Sequence, residues 1–563
     1  MRRSGIDLLV RDNIYNLKPY STARDETDKK FALFLDANES PYNTGFNRYP
    51  DPVSYKLKDA AARACNQGQT PVPRNSWNGG LTPIYADAGI GGCNVFAGSG
   101  SDEAIDLLIR IFCYPGRDNV LSVFPTYGMY RVAAGVNDVE YREVPLNDDF
   151  SLNGDLLLER ADDNSKIIFL CSPNNPSGNL LCKKEVMRVV KSFNGIVVVD
   201  EAYIDFSGDD GMIPEIADNQ NLVVLRTMSK SRGMAAIRVG FAFADKKIIS
   251  YLERVKYPYN LNRLSQEYAI KALEKGSSDV VKSIINEREK LSLELKKLSI
   301  VKDVTKSDSN FLLVKFINPK EVYSLLENKG IIVRDRSNVK GCEGCLRITV
   351  GKPIDNEMLL KALKGEGDVF FRESIDITRL TKETSVSLKV FPQFEGNSSI
   401  LTGVGFLDHM LEIFTLHSGV VLDLYASGDL EVDAHHTIED VAIVFGEALN
   451  KLYTHKEGYN RYGFVLPMDE SEAKVVVDLG GRAGLKWNVL FKGESVGDFP
   501  CEMFEHFFKT LSTSGKFTLH VDAAGDNDHH IAEAVFKAFA RAMRIALSNN
   551  INEYQLPSSK GLI

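Results

Sequence analysis

The chain has 563 residues, 44% of them hydrophobic, and a formal net charge of -9 at pH 7; at roughly 150 residues per domain that length predicts about three or four domains, each able to bury a core. The acidic balance argues against a nucleic-acid or anionic-membrane partner, since such surfaces select an excess of Lys and Arg. "MRRSGIDLLVRDN" lacks a sustained apolar segment and no run reaches bilayer-spanning length, so a cytoplasmic protein is expected.

Over about the first 360 residues, short apolar runs such as "KIIFLCS", "GIVVVDEAY" and "NLVVLRT" alternate with amphipathic stretches such as "DEAIDLLIRIF". That rhythm predicts an α/β fold with a largely parallel sheet covered by helices. The glycine- and proline-rich segment at 66–92 reads as a long loop or insertion. In "AGSGSDEAIDLLIRIF" small residues precede a helix whose free amides and dipole suit an anion. "VVVDEAY" ends a buried strand on Asp200, which needs a cationic partner there. "RTMSKSRGMAAIRVGF" then presents Lys230 among small residues, with Arg238 following. Any one of these pieces alone reads as a capped helix with surface charges. Together they supply what pyridoxal phosphate requires: a Schiff-base lysine, an aspartate for the pyridine nitrogen, and an arginine with a helix start for the phosphate. Farther on, Cys342 and Cys345 of "CEGC" lack a second pair at zinc spacing and read as reduced structural thiols.

A boundary falls in "KGEGD" at 364–368, with 366–371 as a linker. Beyond it the texture changes to alternating strands set against helices, an α+β pattern. "VDAHHTIED" and "GDNDHHIAEA" each open a helix with two histidines and a glutamate three residues on. His435 and Glu439 share a helix face while His436 is turned about 100° away, so adjacent histidines serve different metal centres. The second copy repeats this with His529, His530 and Glu533, and each copy has one upstream histidine, His409 in "FLDHM" and His506 in "MFEHFF". The half-domain is duplicated. Nitrogen and carboxylate ligands without thiolate leave Mn, Fe, Zn and Co open.

The first half resembles histidinol-phosphate aminotransferase in "NLKPYSTARDE", "LDANESPY", "NRYPDP", "PTYGMYRVAA", "SPNNPSG", "VVDEAYIDF" and "CLRITVG". That resemblance implies a fold-type I aminotransferase over 1–365, its small domain from about 1–30 and 256–365 and its large domain about 31–255. It implies Lys230 as the Schiff-base lysine and proton carrier, and Asp200 beneath the pyridinium. Asn175 and Tyr203 would hold the ring's phenolic oxygen, and Tyr127 would stack on the ring. Ser101, Asp102, Ser229 and Arg238 would line the cofactor phosphate, with Tyr49 arriving from a partner subunit. Arg347 would clamp the donor's carboxylate, a planar task suited to Arg, and Tyr20 and Arg334 would surround the substrate's phosphate. The 66–92 insertion has no clear counterpart in that family's pattern.

The second half, over 372–563, is similar to imidazoleglycerol-phosphate dehydratase in "TKET", "GFLDHM", "GDLEVDAHHTIED", "NRYGFVLPMDE", "GRAGL", "FKAFARA" and "PSSKG". The similarity implies manganese, two ions per site, held by the six histidines with Glu439 and Glu533. It implies Glu383 as acid/base, with Glu533 sharing ligation and proton transfer, and Arg461, Arg482, Lys537, Ser559 and Lys560 as phosphate contacts. Ile413 stands where many relatives have Gln, removing one possible polar contact to substrate, and Ala483 stands where Pro is usual. The two resemblances are to consecutive enzymes of histidine biosynthesis, implying glutamate as amino donor and a homo-oligomer of aminotransferase dimers on a many-subunit dehydratase core. The competing reading joins another fold-type I aminotransferase or decarboxylase to a metal-binding assembly scaffold.

Overall fold

The computed structural model describes residues 3, 5–18, 37–42, 44–65, 93–366, 374–391, 398–453, 462–463 and 466–548. The 66–92 insertion, the linker beyond Glu366, Tyr20, Arg461, Ser559 and Lys560 lie outside them. The chain divides into two compact units, Met1–Glu327 with Ile332–Val350, and Asn328–Ile331 with Gly351–Ile563. Among the described residues no helix is long and apolar enough to cross a membrane.

The first unit is built on seven strands, β1 (Cys93–Ser99), β2 (Asn119–Phe124), β3 (Glu140–Pro145), β4 (Ser165–Cys171), β5 (Ile196–Asp200), β6 (Leu222–Thr227) and β7 (Val239–Asp245), in the order β1-β7-β6-β5-β4-β2-β3. The pairs β3/β2, β2/β4, β4/β5 and β5/β6 are parallel, and β7 runs antiparallel to both its neighbours. The continuous apolar runs follow from burial on both faces. Along β5, Ile196 and Val198 enter one core, while Val197 and Val199 enter the core across the sheet. Helix α1 (Ser101–Phe112) turns Ile105, Leu108 and Ile109 inward and leaves Asp106 and Arg110 as a surface pair. A smaller antiparallel sheet, β8 (Val301–Val304), β9 (Phe311–Phe316), β10 (Arg334–Asp335) and β11 (Cys345–Thr349), has the order β10-β11-β9-β8.

The second unit contains the same arrangement twice. Strands β12 (Ile375–Leu380), β13 (Ser385–Phe391), β14 (Ser399–Leu401) and β15 (Val421–Ser427) form a sheet in which β15 is antiparallel to β13 and parallel to β14. In the second copy, β16 (Tyr462–Gly463), β17 (Leu466–Met468), β18 (Ser471–Asp478) and β19 (Gly484–Val489) precede the small hairpin β20 (Ser495–Val496) and β21 (Phe499–Pro500). There β22 (Thr518–Ala524) is antiparallel to β18 and parallel to β19. Each sheet's alternation puts residues such as Val386 and Leu388, or Val475 and Val477, into one shared core rich in Phe.

Helices α2 (Gly405–Ser418), α3 (His435–Leu452), α4 (Glu502–Gly515) and α5 (Asp528–Ala546) fill that core, and they pair across the duplication, α2 on α5 and α3 on α4. The α3–α4 approach is close because both helices carry glycine there. A Cβ on Gly446 would stand 2.6 Å from the Leu511 carbonyl oxygen and 2.8 Å from the Gly515 nitrogen. The helix Pro353–Leu363 also belongs to this unit, with Ile354 packed on Val421 and Lys352 Nζ 2.6 Å from Asp423 Oδ1.

Candidate cofactor pocket and metal clusters

In the first unit, the chemistry-bearing residues gather where the parallel strands end, the edge at which open α/β sheets bind ligands. Asp200 is the last residue of β5 and is buried. Burial pushes its carboxyl up to about 6, against the pull of hydrogen bonds from the Tyr130 hydroxyl at 2.9 Å and the Ala202 amide at 3.2 Å. Tyr130 is itself fully buried, stacked on Phe169 with ring centroids 4.8 Å apart. The second tyrosine of "TYGMYRVAA" gives no sequence signal for this, because only the fold brings it to Asp200 at the end of β5.

Lys230 lies beyond β6 in the turn that ends on Gly233 and places its Nζ 5.6 Å from the Tyr203 ring centroid. Desolvation lowers its ammonium pKa, the charge of Arg347 adds to that, and Asp200 opposes it. Asn175, after β4, donates from Nδ2 to the Tyr203 hydroxyl at 3.4 Å and accepts from Arg347 Nη1 at 2.5 Å. Asp102, in the first turn of α1, accepts from the Tyr127 hydroxyl at 3.1 Å and from Arg238 Nη2 at 3.3 Å. Ser229 N donates to Thr227 Oγ1 at 3.2 Å beside this group.

The helix start is tightly cradled. Gly100 has φ +74°, and a Cβ there would stand 2.6 Å from Arg238 Nη2, while a Cβ on Gly240 would collide with the Ser101 amide. The glycines thus bring the start of α1 and the Arg238 guanidinium close together, and a helix N-terminus beside a cation fits a phosphate. A buried carboxylate without a cation of its own at the strand end fits a protonated ring nitrogen. Tyr49 stands apart from this group, half-exposed and stacked on Tyr259 at 4.5 Å.

In the second unit the helix pairing sorts the histidines. His409 of α2 meets His529 and Glu533 of α5, both imidazole Nε2 atoms lying 3.3 Å from Glu533 Oε1. His435 and Glu439 of α3 meet His506 of α4, with His506 Nε2 3.5 Å from Glu439 Oε1 and the two imidazole centroids 4.9 Å apart. In each cluster three ligand atoms lie within 4.8 Å of one another. Each cluster therefore takes its upstream histidine from the opposite copy, an exchange that spacing along the chain does not show.

His436 and His530 turn away from their neighbours. His436 Nδ1 lies 3.3 Å from Asp429 Oδ2 and 3.7 Å from Glu383 Oε2, and His530 Nδ1 lies 2.9 Å from Glu470 Oε2. These carboxylates raise both imidazolium pKa values, Asp429 foremost for His436 and Glu470 for His530. A carboxylate at Nδ1 keeps that nitrogen protonated and leaves Nε2 as the ligating atom. A third grouping, Asp469, Glu470 and His530, is compact enough for an ion. The donor set suits a borderline divalent metal, and His506 Nε2, buried without a hydrogen-bond partner, is the kind of orphaned atom an ion would satisfy.

Lys537 Nζ pairs with Glu533 Oε2 at 2.7 Å. Against the upward push of burial, that bond, with those to His409 and His529, holds Glu533 below the usual carboxylate range. Arg482 is exposed and its carbonyl accepts from Thr518 Oγ1. Glu383 sits in the β12–β13 turn, and Asp440, the neighbour of Glu439, ties that turn to α3. Asp440 accepts from Arg379 Nε at 2.6 Å and from the Thr384 hydroxyl. The sequence reading passed over Asp440 because an acid beside a motif glutamate looks like helix surface. Ile413 is buried in the core on the His409 helix, and Cys342 and Cys345 are buried free thiols.

Residues 38–363 match the family described as aminotransferase class I and II, and residues 402–543 match imidazoleglycerol-phosphate dehydratase. The chain is 48% identical over 358 residues to a histidinol-phosphate aminotransferase of Parabacteroides distasonis, covering 63% of this chain and 97% of that one. A second such enzyme, from Cytophaga hutchinsonii, is 45% identical over 366 residues, covering 64% and 99%. The solved imidazoleglycerol-phosphate dehydratase of Staphylococcus aureus is 40% identical, covering 32% of this chain and all of that one, with a TM-score of 0.29. The chain joins a class I and II aminotransferase to an imidazoleglycerol-phosphate dehydratase domain. The aminotransferase half accordingly uses pyridoxal phosphate, and the dehydratase half is metal-dependent.

Proposed function

We propose that the chain catalyses two consecutive steps of histidine biosynthesis: dehydration of imidazoleglycerol phosphate to imidazole acetol phosphate by the dehydratase half, then transamination of that ketone by glutamate to L-histidinol phosphate. The observation that carries the reading is the presence on one chain of both donor sets, Asp200 with Lys230, Asn175 and Arg347, and the paired His/Glu clusters.

Pyridoxal phosphate, when bound, supplies the electron sink that makes the amino acid's Cα proton labile. Asp200, ionised and held by Tyr130, keeps a proton on the ring nitrogen. Asn175 and Tyr203 would hold the phenolic oxygen and Tyr127 would flank the ring; Ser101, Ser229 and Arg238 would hold the phosphate, with Asp102, whose carboxylate accepts from Tyr127 and Arg238, lining that pocket by orienting both. The Lys230 amine, its pKa lowered, would move the amino acid's Cα proton. Arg347 would bind the donor's carboxylate as a planar fork, and Arg334 would contact the substrate's phosphate.

In the dehydratase half, ions at the clusters supply Lewis-acid stabilisation of the substrate's imidazole ring. Manganese, two ions per site, is the assignment made here. Glu383, exposed in the β12–β13 turn and 3.7 Å from His436 Nδ1, would move a proton on the glycerol chain, and Glu533, paired with Lys537, would serve as ligand. Lys537 and Arg482 would contact the substrate's phosphate. Because His436 and His530 join neither of the two paired His/Glu clusters, completion of the sites by neighbouring subunits in a homo-oligomer belongs to this reading.

The test is one incubation of the chain with imidazoleglycerol phosphate, manganese, pyridoxal phosphate and glutamate, with histidinol phosphate sought by mass. Accumulation of the ketone alone would refute the transaminase half, and unchanged starting material the dehydratase half.

A further inference from the structure

Three arginines share one wall of a cavity of about 410 Å³ in the small antiparallel sheet of the first unit. Arg334 of β10 stands directly across from Arg347 of β11. The ladder continues past β10, with Arg336 N donating to the Cys345 carbonyl at 3.0 Å. Side chains alternate along a strand, so Arg336 returns to the face of Arg334.

Like charges set opposite one another destabilise a ladder, and among the described residues none of the three arginines makes an ion pair. Among the described residues the only carboxylate on the cavity wall is Asp335, which accepts from the Ser337 amide at 2.7 Å. Arg347 is occupied by Asn175. Arg336 Nε is buried without a hydrogen-bond partner. Its guanidinium pKa is lowered, by burial first and then by Arg347 and Arg334. A buried donor on a cation with two cationic neighbours calls for an anion of more than one charge.

We propose that Arg336 is a specificity-determining residue, the second arm of a two-arginine clamp in which Arg334 and Arg336 together grip the phosphate dianion of the transamination substrate. The inference rests on the transaminase reading and on Arg334's place in it. Two forks on three phosphate oxygens favour a dianion over a singly charged carboxylate, because each added guanidinium gains in proportion to the ligand's charge. The same clamp therefore accepts the distal carboxylate of the amino donor in the other half-reaction and releases it readily.

The holoenzyme tests this with two amines that differ only in the phosphate, histidinol phosphate and histidinol. In Arg336→Gln the ratio of their kcat/KM values should fall about 10- to 100-fold, the range of one charge-assisted hydrogen bond, with the loss in KM for histidinol phosphate and a weaker inhibition by inorganic phosphate. Arg336→Lys should restore part of the ratio, since it returns the charge without the fork. An equal loss on both amines, or an unchanged ratio, would overturn the proposal. Arg334→Gln separates the two levels. If it lowers the ratio and Arg336→Gln does not, only the second arm is wrong; if neither lowers it, the phosphate subsite itself is misplaced.

Discussion

Asp200→Asn should stabilise the cofactor-free protein at neutral pH while abolishing its affinity for pyridoxal phosphate. Burial raises the Asp200 carboxyl from 3.8 to about 6. At 1.36 kcal/mol per pH unit, that rise corresponds to about 3 kcal/mol. The sign follows from linkage: below about pH 4 folded and unfolded states both bind the proton and nothing is lost, whereas above about pH 6 the folded state alone carries a buried charge. Asparagine is isosteric and does not titrate, and the Tyr130 hydroxyl can accept its amide N–H as readily as it donates to the carboxylate. Urea unfolding of the apoprotein, wild type against variant, should show a stability difference that is small near pH 4 and grows toward about 3 kcal/mol by about pH 7. Reading the difference between the two proteins cancels the other carboxylates, which titrate alike in both. With cofactor present the order should reverse, because the ring nitrogen supplies the missing positive partner. A stability difference flat across that pH range would falsify the account of Asp200 as an uncompensated buried acid.

Lys230→Ala should lose transamination and the absorbance of bound cofactor yet keep dehydration, since the two sites share no residue; residual turnover of the ketone in the variant would count against the lysine assignment. Chelation should silence dehydration and spare transamination. Because the ligands cross between copies, His409→Ala should remove the same metal equivalent as His529→Ala, and His506→Ala the same as His435→Ala, a pattern that metal analysis of the four variants would establish or exclude. Asp440→Ala should cost about 2 kcal/mol, a modest figure because its partner Arg379 is partly exposed to solvent. It should also lower the dehydration kcat more than it raises KM, as the Glu383 turn loosens; a loss confined to KM would argue against that link. Light scattering with and without chelator should show a large homo-oligomer that manganese strengthens, and a dimer fully active in dehydration would exclude shared sites.

Much of this was legible in the sequence, for identifiable reasons. The β-branched runs ending at Cys171, Asp200 and Thr227 carried the parallel sheet, because strands buried on both faces leave no alternation to misread. The divergence of His435 from His436 followed from helix geometry alone, and the rings do part, one toward Glu439 and His506 and the other toward Asp429. The exchange of His409 and His506 between copies was not legible, since it depends on which helices pack together. Tyr130 and Asp440 were hidden for the same reason. Each acts through a partner 70 or 56 positions away, Asp200 for the first and Thr384 for the second, and carries no motif of its own. Arg334 and Arg336 stand two positions apart in the sequence, but that neither makes an ion pair among the described residues required the cavity wall.

The crossing of α2 onto α5 and α3 onto α4 bears on how such a domain could arise. A polypeptide equal to one copy alone holds an upstream histidine and an HHxxE helix that face different clusters, so singly it completes neither; two such polypeptides related by a twofold axis would complete two identical ones. Joining the copies turns that twofold axis into an internal one and frees the two halves from being alike. The difference is already visible at their outer turns: Glu470 holds His530 with both carboxylate oxygens, at 3.0 and 2.9 Å, while Glu383 stands 3.7 Å from His436 and leaves that ring to Asp429. The two turns thus meet their histidines differently, a difference that identical subunits could not have kept.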